Sequence, residues 1–254
     1  MSENLLLETR GNVLLMTLNR AHVRNAVDLE TAEALAAALD QLETRDDLCM
    51  GILTGAGGTF CSGMDLKAFV GGRRANIPGR GFAGLAEKPP RKVLIAAVEG
   101  YALAGGFEIA LACDLIVASR TAKFGLPEVK RGLVAAAGGL IRLPRRIPFH
   151  IAMEYVLTGD MLDADEAHAH GLVNQLTEPG HALEGALALA RKIAANGPMA
   201  LAISKQVLIE SADWSRDDMF DRQREMTAPI FVSDDAIEGA AAFAQKRAPV
   251  WSGK

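Results

Sequence analysis

Short apolar runs bounded by turn residues alternate with stretches of helical spacing over the first two-thirds of the chain. "NLLLET" (4–9) and "NVLLMTLN" (12–19), parted by Arg10-Gly11, predict a hairpin. Asp28 then caps "LETAEALAAALDQLE" (29–43), whose apolar positions recur at helical spacing. "LCMGILTG" (48–55), "KVLIAAVEG" (92–100), "DLIVAS" (114–119) and "LVNQLT" (172–177) predict buried strands. "FEIALAC" (107–113), "PFHIAMEYVLTG" (148–159) and "DADEAHAHG" (163–171) predict the helices between them. Beyond Pro179-Gly180 the pattern is helical throughout: 181–196, 198–212, 214–228 and 233–247. This order argues for an α/β core over 1–180 and a helical region over 181–254. The Gly- and Arg-rich "VGGRRANIPGRG" (70–81) predicts a flexible surface loop. No repeat of fixed period is present.

Composition adds exclusions. A chain of 254 residues with half its residues hydrophobic and 23% charged is long enough to bury a core without disulfides or metal. The net charge of −4 argues against nucleic acid or an anionic membrane as a main partner. No apolar run reaches the ~20 residues of a membrane span, and "MSENLLLETRG" lacks the features of a signal or transit peptide, so a cytoplasmic protein is expected. Cys49, Cys61 and Cys113 form no C-x-x-C pattern and sit among apolar residues, which predicts reduced core thiols.

Three stretches carry candidate chemistry. In "ALAGGFEIALACD" (102–114) eleven of thirteen residues are apolar or Gly, yet Glu108 stands in the middle. A buried carboxylate costs several kcal/mol unless it is paired, hydrogen-bonded or protonated. Gly105 and Gly106 open the helix before it, where N–H groups lack internal partners and favour an anion or a developing oxyanion. Helix packing demands Gly as well. "GTFCSGMDLKAF" (58–69) places Gly63 in a tight turn, with the Met64 N–H free to face outward and Asp65 as a cap; it also fits an ordinary turn. In "AKFGLPEVKRGLVAAAGG" (122–139), Glu128 follows Pro127 at the start of a short helix, where a solvated Glu is common.

Other patterns fail. "GAGGTF" has Phe60 where a dinucleotide fingerprint needs Gly. His168 and His170 are spaced i, i+2, off a common helix face, with no Cys or further His near, so no metal is expected. Ser62 lacks the G-x-S-x-G frame of a nucleophile elbow.

Taken together and in order, "LNRAHVRNAV", "GTFCSGMDL", "AAVEGYALAGGFEIALACDLIVAS", "AKFGLPEVKRGL", "GLVNQL" and "EGAAAFAQKRAPVW" resemble the crotonase superfamily, also called the enoyl-CoA hydratase/isomerase family, nearly end to end. The phrase "FGLPEVKRGLVAAAGGLIRLPR" resembles its crotonobetainyl-CoA hydratase branch. The resemblance implies the crotonase fold: an α/β spiral of ββα turns with a C-terminal helical region that builds trimers, often paired as hexamers. It implies an acyl-CoA thioester substrate and no separate cofactor, CoA being part of the substrate. The thioester oxygen would sit between the N–H groups of Met64 and Gly105. Glu108 and Glu128 would hold one water over the alkene, and the presence of both favours hydration of a trans-2-enoyl-CoA to a 3-hydroxyacyl-CoA. Asp65, Leu66, Lys67 and Gly106 would line the substrate site, and Arg24 would approach the CoA phosphates. Lys246 and Arg247 would reach a neighbouring subunit's CoA. An enoyl-CoA isomerase, another acyl-CoA chemistry and a non-catalytic acyl-CoA-binding protein are the alternatives. Two features depart from the pattern: Ala104 stands where hydratases often carry the first of three Gly, and Met64 where Ala is common.

Overall fold

The computed structural model describes residues 3–254. A six-stranded sheet runs in chain order: Leu5–Arg10, Val13–Leu18, Met50–Gly55, Val93–Val98, Leu115–Ser119 and Gln175–Thr177. The first pair is antiparallel, as the Arg10-Gly11 turn requires, and every later pair is parallel. Parallel strands need long crossovers, and these carry the helices and the site loops.

Both faces of the sheet are covered, which explains the unbroken apolar runs. One face presents Leu14, Met16, Leu18, Leu94, Ala96 and Val98 to a core shared with α1 (Leu29–Thr44) and, beyond the short surface helix α2 (Leu66–Val70), with α3 (Gly105–Ala112). Asp28 caps α1, its carboxylate accepting from the Thr31 N–H at 2.9 Å, a contact generally worth about 1 kcal/mol. The other face presents Val13, Leu15, Ile52, Ile95 and Val117. Against it lies α7 (Ala182–Ala194), after α4 (Gly139–Arg146), α5 (Phe149–Thr158) and α6 (Ala164–Ala169). Ala182, Ala186 and Ala190 form its buried stripe. A Cβ on Gly185 would stand 2.6 Å from Thr177 Cγ2, so only Gly lets this helix lie so close. The chain beyond residue 180 thus begins by roofing the sheet. It continues through α8 (Pro198–Glu210), α9 (Met219–Thr227) and α10 (Asp234–Ala244). Lys205 anchors α8, donating to Pro90 O, Lys92 O and the Asp114 carboxylate.

Some elements were not predicted. Tyr101–Leu103, Lys123–Gly125 and Leu162–Asp163 form a second sheet of three strands. Segments of two or three residues are too short to show alternation. Helix α4 contains Pro144 and opens on Gly138-Gly139, which hides its periodicity. The segment 70–81, expected to be a plain loop, is mostly exposed but folds into a small hairpin that pairs Asn76–Ile77 with Gly81–Phe82 and buries Ala75. All three cysteines are free; Cys61 and Cys113 are buried, and burial pushes both thiols up to about 12. Cys49, expected in the core, is only half-buried, because it stands just before its strand. Among the described residues no helix is long and apolar enough to cross a membrane.

Candidate active site

Two loops meet at the N-terminus of α3. Cys61 joins them: its N–H donates to Tyr101 O at 2.9 Å, and its carbonyl accepts from Leu103 N–H at 3.0 Å. Gly63, at φ +100°, then turns the first loop against the second; a Cβ there would lie 3.1 Å from the Gly105 nitrogen. On the far side Val27 donates to Gly63 O and accepts from Asp65 N–H. That pairing turns the Met64 N–H away from Val27. Neither the Met64 nor the Gly105 N–H has an acceptor among the described residues. Gly105 is the first residue of α3, so its N–H also lies at the positive end of the helix. Two unsatisfied donors on adjoining loops are the kind of groups from which an oxyanion hole can be built.

The conformation has a cost. Ala104 is held at φ 51°, ψ −130°, a region open to Gly and sparsely populated by other residues. Its N–H donates to Gly125 O at 2.8 Å, which helps fix it there. Gly106 has a packing role: a Cβ would stand 2.7 Å from the Cys61 carbonyl carbon. On that side it presses against the Cys61 loop. Gly105 faces the ring of Phe82, whose Cε1 is 2.6 Å from where a Cβ would be.

Glu108 lies one helical turn in and is 3% exposed. Its Oε1 accepts from the N–H groups of Ala137 at 2.7 Å and Gly139 at 2.9 Å. Burial raises its pKa, while these two N–H groups and the Arg142 guanidinium pull the other way. Glu128 sits in the single 3-10 turn Pro127–Arg131, which Pro127 opens. Its Oε2 is buried and has no hydrogen-bond partner among the described residues. Burial pushes its carboxyl up to about 7, and the nearby Glu108 charge adds to this. The two carboxyl groups interact but differ in character. Burial raises both pKa values, but in Glu108 two N–H groups and Arg142 oppose the shift, while the buried Oε2 of Glu128 has no such partner among the described residues.

The expected lining is only partly assembled. The Asp65 carboxylate caps α2 through Lys67 and Ala68 N–H and pairs with Arg20, so its polar atoms are engaged within the chain. Burial opposes its ionisation, but the Ala68 N–H and Arg20 outweigh it and its pKa is lowered. Leu66 and Lys67 are exposed on α2 and Met64 is half-buried beside the core. Arg24 is exposed in a left-handed turn, φ 54°, and its carbonyl accepts from Ser62 N–H, so its backbone adjoins the donor loop. Arg247 pairs with Glu238, while Lys246 is exposed. His168 bonds Val173 O through Nδ1, and His170 faces Glu166 at 3.7 Å. Among the described residues no cluster of three or more His, Cys, Asp or Glu could hold a metal ion. The sequence reading missed Ala137, Gly139 and Arg142 around Glu108, and Phe82 against Gly105; Gly138-Gly139 was the available signal.

The sequence model described as "Enoyl-CoA hydratase/isomerase" matches residues 8–254. The chain is 40% identical over 255 residues to enoyl-CoA hydratase EchA19 of Mycobacterium tuberculosis, covering 96% of this chain and 94% of that protein. It is 38% identical over 262 residues to the carnitinyl-CoA dehydratase of Proteus mirabilis, covering all of both. The solved structure of enoyl-CoA hydratase EchA1 from Mycobacterium marinum is similar with a TM-score of 0.98 at 57% identity, again over the whole of both chains.

Proposed function

The chain belongs to the enoyl-CoA hydratase/isomerase family, and from that premise we propose that it adds water across the 2,3 double bond of a trans-2-enoyl-CoA thioester. One observation carries the reading: a buried, unpartnered Glu128 oxygen beside a Glu108 anchored by two N–H groups. A protein that only bound acyl-CoA would gain nothing from burying two interacting carboxyl groups.

Nearby Met64 and Gly105 N–H groups take the thioester oxygen as it gains enolate charge, each donor worth about 2.7–4 kcal/mol. Glu108, kept anionic by its donors, removes a proton from water. The hydroxyl adds to C3. Glu128, whose pKa of about 7 leaves a large fraction protonated at neutral pH, gives its proton to C2. Exchange with solvent returns both groups to their starting states. The reverse sequence is dehydration, so relatives named for either direction support the same machinery. No cofactor beyond the CoA of the substrate is needed. The exposed Arg24 and Lys67 are suited to the CoA phosphates.

The test is a panel of trans-2-enoyl-CoA thioesters of differing length and branching, followed by loss of the conjugated-thioester absorbance, with products identified by mass. At least one should gain 18 mass units (one water) as its absorbance falls. Shift of the double bond without gain of water would mark an isomerase. Tight binding with no conversion across the panel would mark a binding protein.

A further inference from the structure

Glu108 owes its anchor to a turn that it does not itself build. The turn is Ala137-Gly138-Gly139, with Gly138 at φ +99°. Arg142 holds it from behind. One guanidinium nitrogen donates to Ala137 O at 3.4 Å and another to Ala86 O at 2.6 Å. The guanidinium occupies the space a Gly138 side chain would fill, so it and the turn fit each other.

The charge of Arg142 is otherwise unspent. The side chain is half-buried, and among the described residues it makes no ion pair, unlike Arg20, Arg80 or Arg247. A half-buried guanidinium bonded only to carbonyls is costly unless its field stabilises something. The groups around it come from several elements. On its own helix, Arg146 donates to Cys113 O and repels it. On α3 stands Glu108, and at its end Cys113, whose thiol burial keeps neutral. On the 3-10 turn, Glu128 is acted on by the Glu108 charge, which raises its pKa, and by Arg131, which lowers it. Arg142 favours the ionised forms of both Glu108 and Cys113, but burial keeps the Cys113 thiol neutral, which leaves Glu108 as the acid whose charge it stabilises.

We propose that Arg142 is the positioning residue of Glu108: it locks the turn whose N–H groups grip the carboxylate and, as the unpaired cation behind that turn, keeps Glu108 ionised as the base. This rests on the hydratase reading. It adds a residue that touches no substrate. The sign is set by charge. A nearby cation favours the carboxylate, so its removal raises the Glu108 pKa, and the acid limb of kcat/KM moves to higher pH.

Two variants separate charge from grip. Arg142→Gln removes the charge. Its acid limb should move up by about one pH unit, and kcat should fall on the order of 10- to 100-fold, with KM changed little. Arg142→Lys keeps the charge but loses the two-carbonyl grip. Its limb should stay near the wild-type position while kcat still falls. An unmoved limb in Arg142→Gln, or wild-type kcat in Arg142→Lys, overturns the proposal, so either folded variant decides it. An infrared titration of the Glu108 carboxyl band, assigned by its loss in Glu108→Gln, reads the same shift without turnover. It keeps the two readings apart: a chain that hydrates nothing refutes the hydratase, while an unmoved band refutes the role of Arg142.

Discussion

At the scale of single residues, the proposed chemistry turns on the difference between two glutamates. Glu108 is anchored by two N–H groups, whereas burial and the Glu108 charge push Glu128 up to about 7. As the acid for hydration, Glu128 must be protonated. The kcat/KM for hydration should therefore hold between the acid limb set by Glu108 and about pH 7 and fall about tenfold per unit above it. A pH profile of initial rates checks this; activity that climbs steadily through pH 8 would exchange the two roles. The same shift has a stability consequence. A carboxyl raised in the folded state costs nothing below its unfolded pKa and destabilises increasingly as pH rises through about 7. Both carboxylates were legible in the sequence, Glu108 because a charge in an apolar run demands a reason. Their partners were not, because the Ala137 and Gly139 contacts are made by backbone, which sequence pattern does not reveal. Asp65 and Gly106 were legible as special positions, but the Arg20 pair and the Cys61 contact give them structural work.

At the scale of elements, the donor cradle depends on the start of α3. Its strained neighbour, Ala104, shows that the turn is held by surrounding bonds. Gly105→Pro would delete the N–H at a helix position that tolerates Pro. Any Cβ there meets the Phe82 ring, so Ala alone is not a neutral control. The informative comparison is made in a Phe82→Ala background, which opens the space. There, Gly105→Pro should have kcat about 10²–10³ below Gly105→Ala, the cost of one oxyanion donor. Circular dichroism and melting temperature should first match between the two. Equal rates would remove Gly105 as a donor. The long strands and α1 were legible because burial on both faces, or one apolar stripe, leaves a long pattern. The short strands of the second sheet and α4 were not, since their pairing is decided by distant segments.

At the scale of the whole molecule, the helices after α7 leave Phe220, Phe231, Val232, Ile237 and Phe243 well exposed. So many large apolar side chains exposed within one segment suit a contact surface. The chain should form a trimer or a hexamer with this region at the contacts, and light scattering at micromolar concentration should give three or six times the 26.9 kDa chain mass. A stable monomer would contradict it. The central claim is that Glu108 and Glu128 act as one unit on one water. It is tested most directly by kcat for the best enoyl-CoA substrate in wild type, Glu108→Gln, Glu128→Gln and the double variant. Each single change should lower kcat by about 10²–10⁴, and the double should be little worse than the poorer single. A single variant that hydrates at near wild-type rate, or losses that multiply fully, would contradict it.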